Sequence, residues 1–212
     1  MNEQEVMTPG QRSALHSVAR DLHDRFEGVF GVETIEALVL DSFDELAKTA
    51  TVTRWLVVSA ERFAEQRLKA LIHAEDYSAK VPGVLFLCVH NAGRSQMALG
   101  WFARLAGNRA IAWSGGSEPG AEINPAVVLA MAEVGIDISR EFPKPWTDEF
   151  FGATDVVVTM GCGDACPLVH GKHYEDWELD DPSGRSIDEI RPIRDEVRRR
   201  VETLISQLLP PE

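Results

Sequence analysis

Apolar positions recur at helical spacing through the first third of the chain and change to short continuous runs after about residue 80. Leu15, Val18, Ala19, Leu22 and Phe26 fall on one helical face. Ahead of them, Thr8-Pro9-Gly10-Gln11 reads as a capping box with proline at the first helical position. After Gly28 and Gly31, a second helix carries Ile35, Val39, Phe43 and Leu46. A third, capped by Thr51 or Thr53, carries Leu56, Ala60, Phe63, Ala64 and Leu71. No strand-like alternation interrupts them. Residues 1–79 are therefore expected to form an all-α three-helix bundle. Such a short unit buries little alone, so it is expected to pack against the rest of the chain or a second copy.

Residues 80–212 follow another pattern. GVLFLCV is a β-rich apolar run, followed by a helix over 95–105 with Met97, Ala98, Trp101, Phe102 and Leu105 inward. Residues 110–114 (AIAWS) read as a second strand, and Asn124-Pro125 opens a helix to about Val134. A short helix covers 149–151, DVVVTM (155–160) is a third strand and 174–177 a short fourth. A long helix covers 187–209, interrupted at its start by Pro192. Strands alternating with helices predict an α/β fold, a parallel sheet flanked by helices. Ligands in such folds bind beyond the carboxyl ends of the strands, where Cys88 and the 160–162 segment lie.

Composition narrows the classes. Apolar residues make up 44% and charged ones 26%, enough for a proper core, and the net charge is −13. That balance disfavours nonspecific nucleic-acid or anionic-membrane binding, since phosphates would be repelled. Residues 1–80 alone hold 9 basic and 14 acidic residues, against a nucleic-acid-binding bundle. No apolar run reaches the length of a membrane span. The polar start, MNEQEVMTPG, does not read as a secretory signal, so the expected location is cytoplasmic. His16, His23 and His73 in the helical segment read as surface residues. The three cysteines, Cys88, Cys162 and Cys166, are no secreted disulfide framework. In a reducing compartment such thiols fill core space, bind metal or carry redox chemistry.

The segment after Cys88 separates these roles. Val89, His90, Asn91, Ala92 and Gly93 form a tight loop before Arg94 and Ser95 at a helix start. Small loop residues let backbone N–H groups turn inward as an anion nest, and the helix N-terminus adds its positive dipole end. Arg94 offers a planar fork for a tetrahedral oxyanion. The same field favours the thiolate of Cys88, to which the Ser95 hydroxyl can donate. A cysteine that only packs needs none of this.

The stretches CVHNAGRSQMA, WSGGSEPGAEINPAVVLAMAEVGIDIS, DVVVTMGCGDACP and DDPSG carry a family resemblance. In this order they resemble the low-molecular-weight protein tyrosine phosphatase fold, and within it the arsenate reductase branch. The resemblance implies a four-stranded parallel sheet, Cys88 as nucleophile and Asp181, before Pro182, as general acid. It implies a thiol–disulfide relay from Cys88 to Cys162 to Cys166, opened by thioredoxin, with arsenate as substrate and no bound cofactor or metal. Gly161 and Gly163 would let the relay loop move. Residues 1–79 are similar to three-helix dimerisation segments of some actinobacterial arsenate reductases, which implies a homodimer.

Ser183 and Gly184 follow the Asp-Pro where phosphatases of the fold carry tyrosines, which suits a small inorganic oxyanion. His90 stands where many relatives have glycine, and Leu99 where some have a glutamate that helps hold potassium. The spacer between Cys162 and Cys166 is shorter than in thioredoxin-linked relatives. Other readings stay open. One is a tyrosine phosphatase; another is a mycothiol- or glutathione-dependent reductase using only Cys88. A zinc site of Cys162, Cys166, His170 and His173, or an arsenic sensor without turnover, are further ones.

Overall fold

The computed structural model describes residues 7–50, 53–75, 81–161 and 170–209. Its backbone separates into two compact units, 1–69 and 70–212, with the division inside the third helix.

In the first unit, α1 (Pro9–Arg25) starts at the expected capping box: the Thr8 hydroxyl accepts from Gln11 N, and the Thr8 N–H donates to Gln11 Oε1 at 2.8 Å. The second helix, α2, spans Val32–Ala47. Thr51 lies outside the described residues. Thr53 opens a short 3₁₀ turn, Thr53–Trp55, that leads into α3 (Leu56–Glu75). Leu15, Leu22, Ile35, Val39, Phe43, Ala60, Phe63, Ala64 and Leu68 are buried. Helical spacing had not marked Ser42 and Arg67, which are buried too. Arg67 Nη1 donates to Asp41 Oδ2 at 2.6 Å and to Ser42 Oγ at 3.1 Å, so its charge is partnered at the edge of the core.

The second unit holds a four-stranded parallel sheet, as expected, in the order β2-β1-β3-β4. The strands are β1 (Gly83–Cys88), β2 (Ile111–Gly116), β3 (Val156–Met160) and β4 (His173–Asp176). Every residue of central β1 is buried, which is why it reads as an unbroken apolar run rather than an alternation. Helix α4 (Arg94–Ala106) follows β1, α5 (Pro125–Glu133) follows β2, α6 (Asp148–Ala153) precedes β3, and α7 (Ile187–Leu208) ends the fold. Val84, Phe86 and Cys88 share a core with Met97, Trp101 and Phe102 of α4, Val127 of α5, and Ile190 and Val197 of α7. On the other face Phe150 of α6 stacks on Trp113 at 6.2 Å, the residue in register with Leu85.

Pro192 does not interrupt the last helix; α7 runs through it. Proline's missing N–H forfeits one bond, to the carbonyl of the first turn, and the start is secured otherwise. Ser186 and Glu189 form a capping box, with Ser186 N donating to Glu189 Oε2 at 2.9 Å. Arg191 and Arg194 then clamp Glu133 at the end of α5.

Candidate active site

The sheet brings the end of β1 between those of β2 and β3: Cys88 is in register with Gly116 on one side and Met160 on the other. Cys88 is buried, 2% exposed, and its Sγ lies 3.0 Å from Ser95 Oγ. Asn91 Nδ2 donates to that same hydroxyl at 2.9 Å. The Ser95 hydroxyl, which has one proton and two lone pairs, can therefore accept from Asn91 and still hydrogen-bond the sulfur in either direction.

The loop between Cys88 and Arg94 is folded outward on its carbonyls. The Val89 carbonyl accepts from Glu118 N, His90 from Gly120 N, Ala92 from Asn124 N and Gly93 from Met97 N, all at 2.9 Å. Among the described residues, no backbone N–H of residues 90–93 is spent on a backbone carbonyl. Helix α4 starts at Gly93 without a side-chain cap. Carbonyls tied back and N–H groups left over are the elements of an anion nest at a helix N-terminus.

Asn91 holds this shape. Its φ is +46°, a left-handed conformation that asparagine tolerates better than most residues. It is fully buried, and its Oδ1 accepts from Gln96 Nε2 at 3.0 Å and Lys144 N at 3.1 Å. Its side chain thus faces inward as a brace. Gly116 leaves the room: a Cβ there would sit 2.7 Å from the Val89 carbonyl and 3.0 Å from Asn91 N.

Arg94, 8% exposed, donates through Nη2 to Asp181 Oδ2 at 3.2 Å. Asp181 is half exposed, and its Oδ1 accepts from Ser183 N at 2.9 Å in a tight turn. Asn124, read from sequence only as the cap of α5, both caps that helix and donates through Nδ2 to the Pro182 carbonyl at 3.0 Å. Pro182 in turn rests on Gly93, where a Cβ would lie 2.5 Å from its Cγ. Gly161 has φ +76°, and a Cβ there would be 3.0 Å from Arg94 Nη1. The chain leaving β3 therefore passes against the guanidinium.

Cys88, His90, Ala92, Gly93, Arg94 and Asp181 line one cavity of about 70 Å³, together with Asn124, Pro182 and Ser183. Pockets for drug-sized ligands run about 300–1,000 Å³, so this one suits a small ion. His90 is exposed, and its Nδ1 lies 3.0 Å from the Glu118 carbonyl; a carbonyl only accepts, so Nδ1 carries the proton. Cys162 and Cys166 lie outside the described residues, as does any zinc site they would share with His170 and His173. Among the described residues no cluster of three or more His, Cys, Asp or Glu is placed to hold a metal ion. No described helix is long and apolar enough to cross a membrane. Sequence reasoning missed Gln96 and Lys144, read Asn124 only as a helix cap, and noted Ser183 only as a small residue after the Asp-Pro.

A buried thiol at the end of a parallel strand, an uncapped helix behind it, and an arginine and an aspartate at its mouth are the groups with which a site can hold a small oxyanion and attack it through sulfur. Residues 83–210 match the low molecular weight phosphotyrosine protein phosphatase family, and the chain belongs to it. Residues 15–72 match the protein-tyrosine-phosphatase-like N-terminal domain. Over nearly its full length the chain is similar to a solved thioredoxin-dependent arsenate reductase of Corynebacterium glutamicum. That likeness has 43% identity, 92% of this chain and 96% of that one covered, and a TM-score of 0.81. The chain is also similar to an arsenate reductase solved in the phosphate binding state, at 34% identity, 60% of this chain and 99% of that one covered, and a TM-score of 0.53. It is also 38% identical over 128 residues to the glutaredoxin arsenate reductase of Synechocystis sp., covering 59% of this chain and 97% of that one.

Proposed function

We propose that this protein reduces arsenate to arsenite, with Cys88 as nucleophile and a thioredoxin-type dithiol protein as the source of electrons. The observation that carries the reading is the contact of Cys88 Sγ with Ser95 Oγ in a small cavity that also holds Arg94 and Asp181. The Corynebacterium relative, whose likeness includes the helical segment, supports the choice of reductant.

In this reading the oxyanion takes the loop N–H groups and the Arg94 guanidinium, displacing Asp181 from Arg94. Asp181, released from Arg94, then serves as the general acid. The Cys88 thiolate attacks arsenic, and a hydroxide leaves as water with the Asp181 proton. The Cys162 thiolate attacks Cys88 Sγ; the sulfur–sulfur bond forms, and the sulfur–arsenic electron pair stays on arsenic, which leaves as arsenite. The Cys166 thiolate then attacks Cys162, returning Cys88 as thiolate. The external dithiol reduces the Cys162–Cys166 disulfide and supplies the two electrons. Support for this order is the path of Gly161, next to Cys162 in sequence, against Arg94.

The test is NADPH oxidation in a mixture with thioredoxin and thioredoxin reductase, with arsenate added last. Wild type is compared with Cys88→Ser, Cys162→Ser and Cys166→Ser. Arsenate-dependent oxidation lost in all three variants supports the relay. Loss in Cys88→Ser alone reduces the mechanism to a single protein thiol. A silent wild type that hydrolyses a phenyl phosphate makes the protein a phosphatase.

A further inference from the structure

Lys144 is among the largest fully buried side chains, with 1% of its surface exposed. Burying an ammonium is unfavourable, and an apolar side chain of similar length would fill the space without desolvating a charge. Its Nζ donates to the Phe142 carbonyl at 3.4 Å, lies 4.7 Å from the centre of the Phe142 ring and is 3.7 Å from Glu141 Oε2. The same Phe142 carbonyl accepts from Gln96 Nε2 at 3.3 Å. That amide also donates to Asn91 O at 3.1 Å and Asn91 Oδ1 at 3.0 Å. Asn91 reaches Ser95, and Ser95 reaches Cys88. The Lys144 main chain is tied to the same place: its N–H donates to Asn91 Oδ1, and its carbonyl accepts from Gly116 N.

We propose that Lys144 is a positioning residue for the oxyanion loop. Its ammonium pins the Phe142 carbonyl against Gln96, which holds Asn91 in its left-handed conformation and so sets the loop around Cys88. A fixed positive charge behind the loop also favours an anion in front of it, with Glu141 offsetting part of the field. The inference rests on reading the Cys88 loop as an oxyanion site.

The test uses the full chain carrying Cys162→Ser and Cys166→Ser, so that iodoacetamide reports on Cys88 alone. Inorganic phosphate is the probe, read by its protection of Cys88 from alkylation. Lys144→Met is expected to unfold at the same or a higher temperature, yet to need about tenfold more phosphate for half-protection, within the size that mutations along a packed side-chain network carry. Ethylammonium is expected to restore phosphate protection to Lys144→Ala and to leave the parent unchanged. Unchanged phosphate protection in Lys144→Met would show that the lysine only fills space. Should that variant fail to fold, absence of ethylammonium rescue in Lys144→Ala overturns the proposal. None of these readouts needs arsenate turnover, so a wild type that does not reduce arsenate overturns the reductase reading and leaves Lys144 to be decided by phosphate. If phosphate does not protect the parent, the oxyanion reading falls and this proposal with it.

Discussion

Arg94 Nη2 donates to Asp181 Oδ2 at 3.2 Å, so the residue that would bind the oxyanion and the residue that would protonate its leaving group hold each other. The pair joins the start of α4 to a turn 87 positions further along the chain.

Asp181→Asn separates the two roles. The amide oxygen still accepts from Ser183 N, so the turn survives, but no proton is available for the leaving oxygen. Single-turnover arsenate reduction should fall by about 10²–10⁴. The KM for arsenate should stay level or drop, because a neutral partner releases Arg94 more readily.

Gly93→Ala tests the approach of loop and turn. The new methyl would sit 2.5 Å from Pro182 Cγ, and the rigid proline ring has to move. A displacement near 1 Å at Asp181 should lower kcat by roughly 10²-fold with little change in Tm. Adding Pro182→Ala should recover part of the loss, measured by steady-state kinetics on the double variant.

Asn91→Ala should destabilise the second unit by about 2–4 kcal/mol, read from urea unfolding. It leaves the Gln96 amide and the Lys144 N–H without their shared acceptor in a buried site, and alanine tolerates φ +46° poorly. Asn91→Gly relieves the backbone strain alone and should recover only part of that loss.

Acid should unfasten α7 from α5. The Glu133 carboxyl is held below the ordinary carboxylate range by hydrogen bonds from Arg191, and Glu189 by its hydrogen bonds with Ser186 in the capping box. With the folded value below the unfolded one, the unfolded chain binds more protons between the two. The stabilisation is present above about pH 4.3, where a free glutamate ionises, and fades as pH falls through the lower folded value. Urea midpoints between about pH 5 and pH 3 should fall less steeply in Glu133→Gln/Glu189→Gln than in wild type.

The helical segment exposes Val29, Val32, Trp55 and Val58, and we infer that residues 1–79 carry a homodimer contact. Trp55→Glu in the full chain should shift sedimentation from dimer to monomer while leaving phosphate protection of Cys88 unchanged. A variant that stays dimeric would place the contact elsewhere.

The strand–loop–helix around Cys88, the parallel α/β class and the three N-terminal helices were legible in the sequence because each is local. Apolar runs and helical spacing report the face a segment buries, and loop chemistry is written in consecutive residues. Pro192 was misread for the same reason: the rule for proline in a helix is local, whereas the clamp that steadies α7 comes from Glu133 of α5. The rest was decided only in three dimensions. The sheet order β2-β1-β3-β4 sets Cys88 between Gly116 and Met160, which carries Gly161 to Arg94. Asp181, which only the family resemblance had marked, and Asn124 and Lys144, which nothing had tied to the site, reach the loop across long stretches of chain. No periodicity marks such residues, since what they satisfy is a hydrogen-bonding group or a charge that is buried only once the fold has closed.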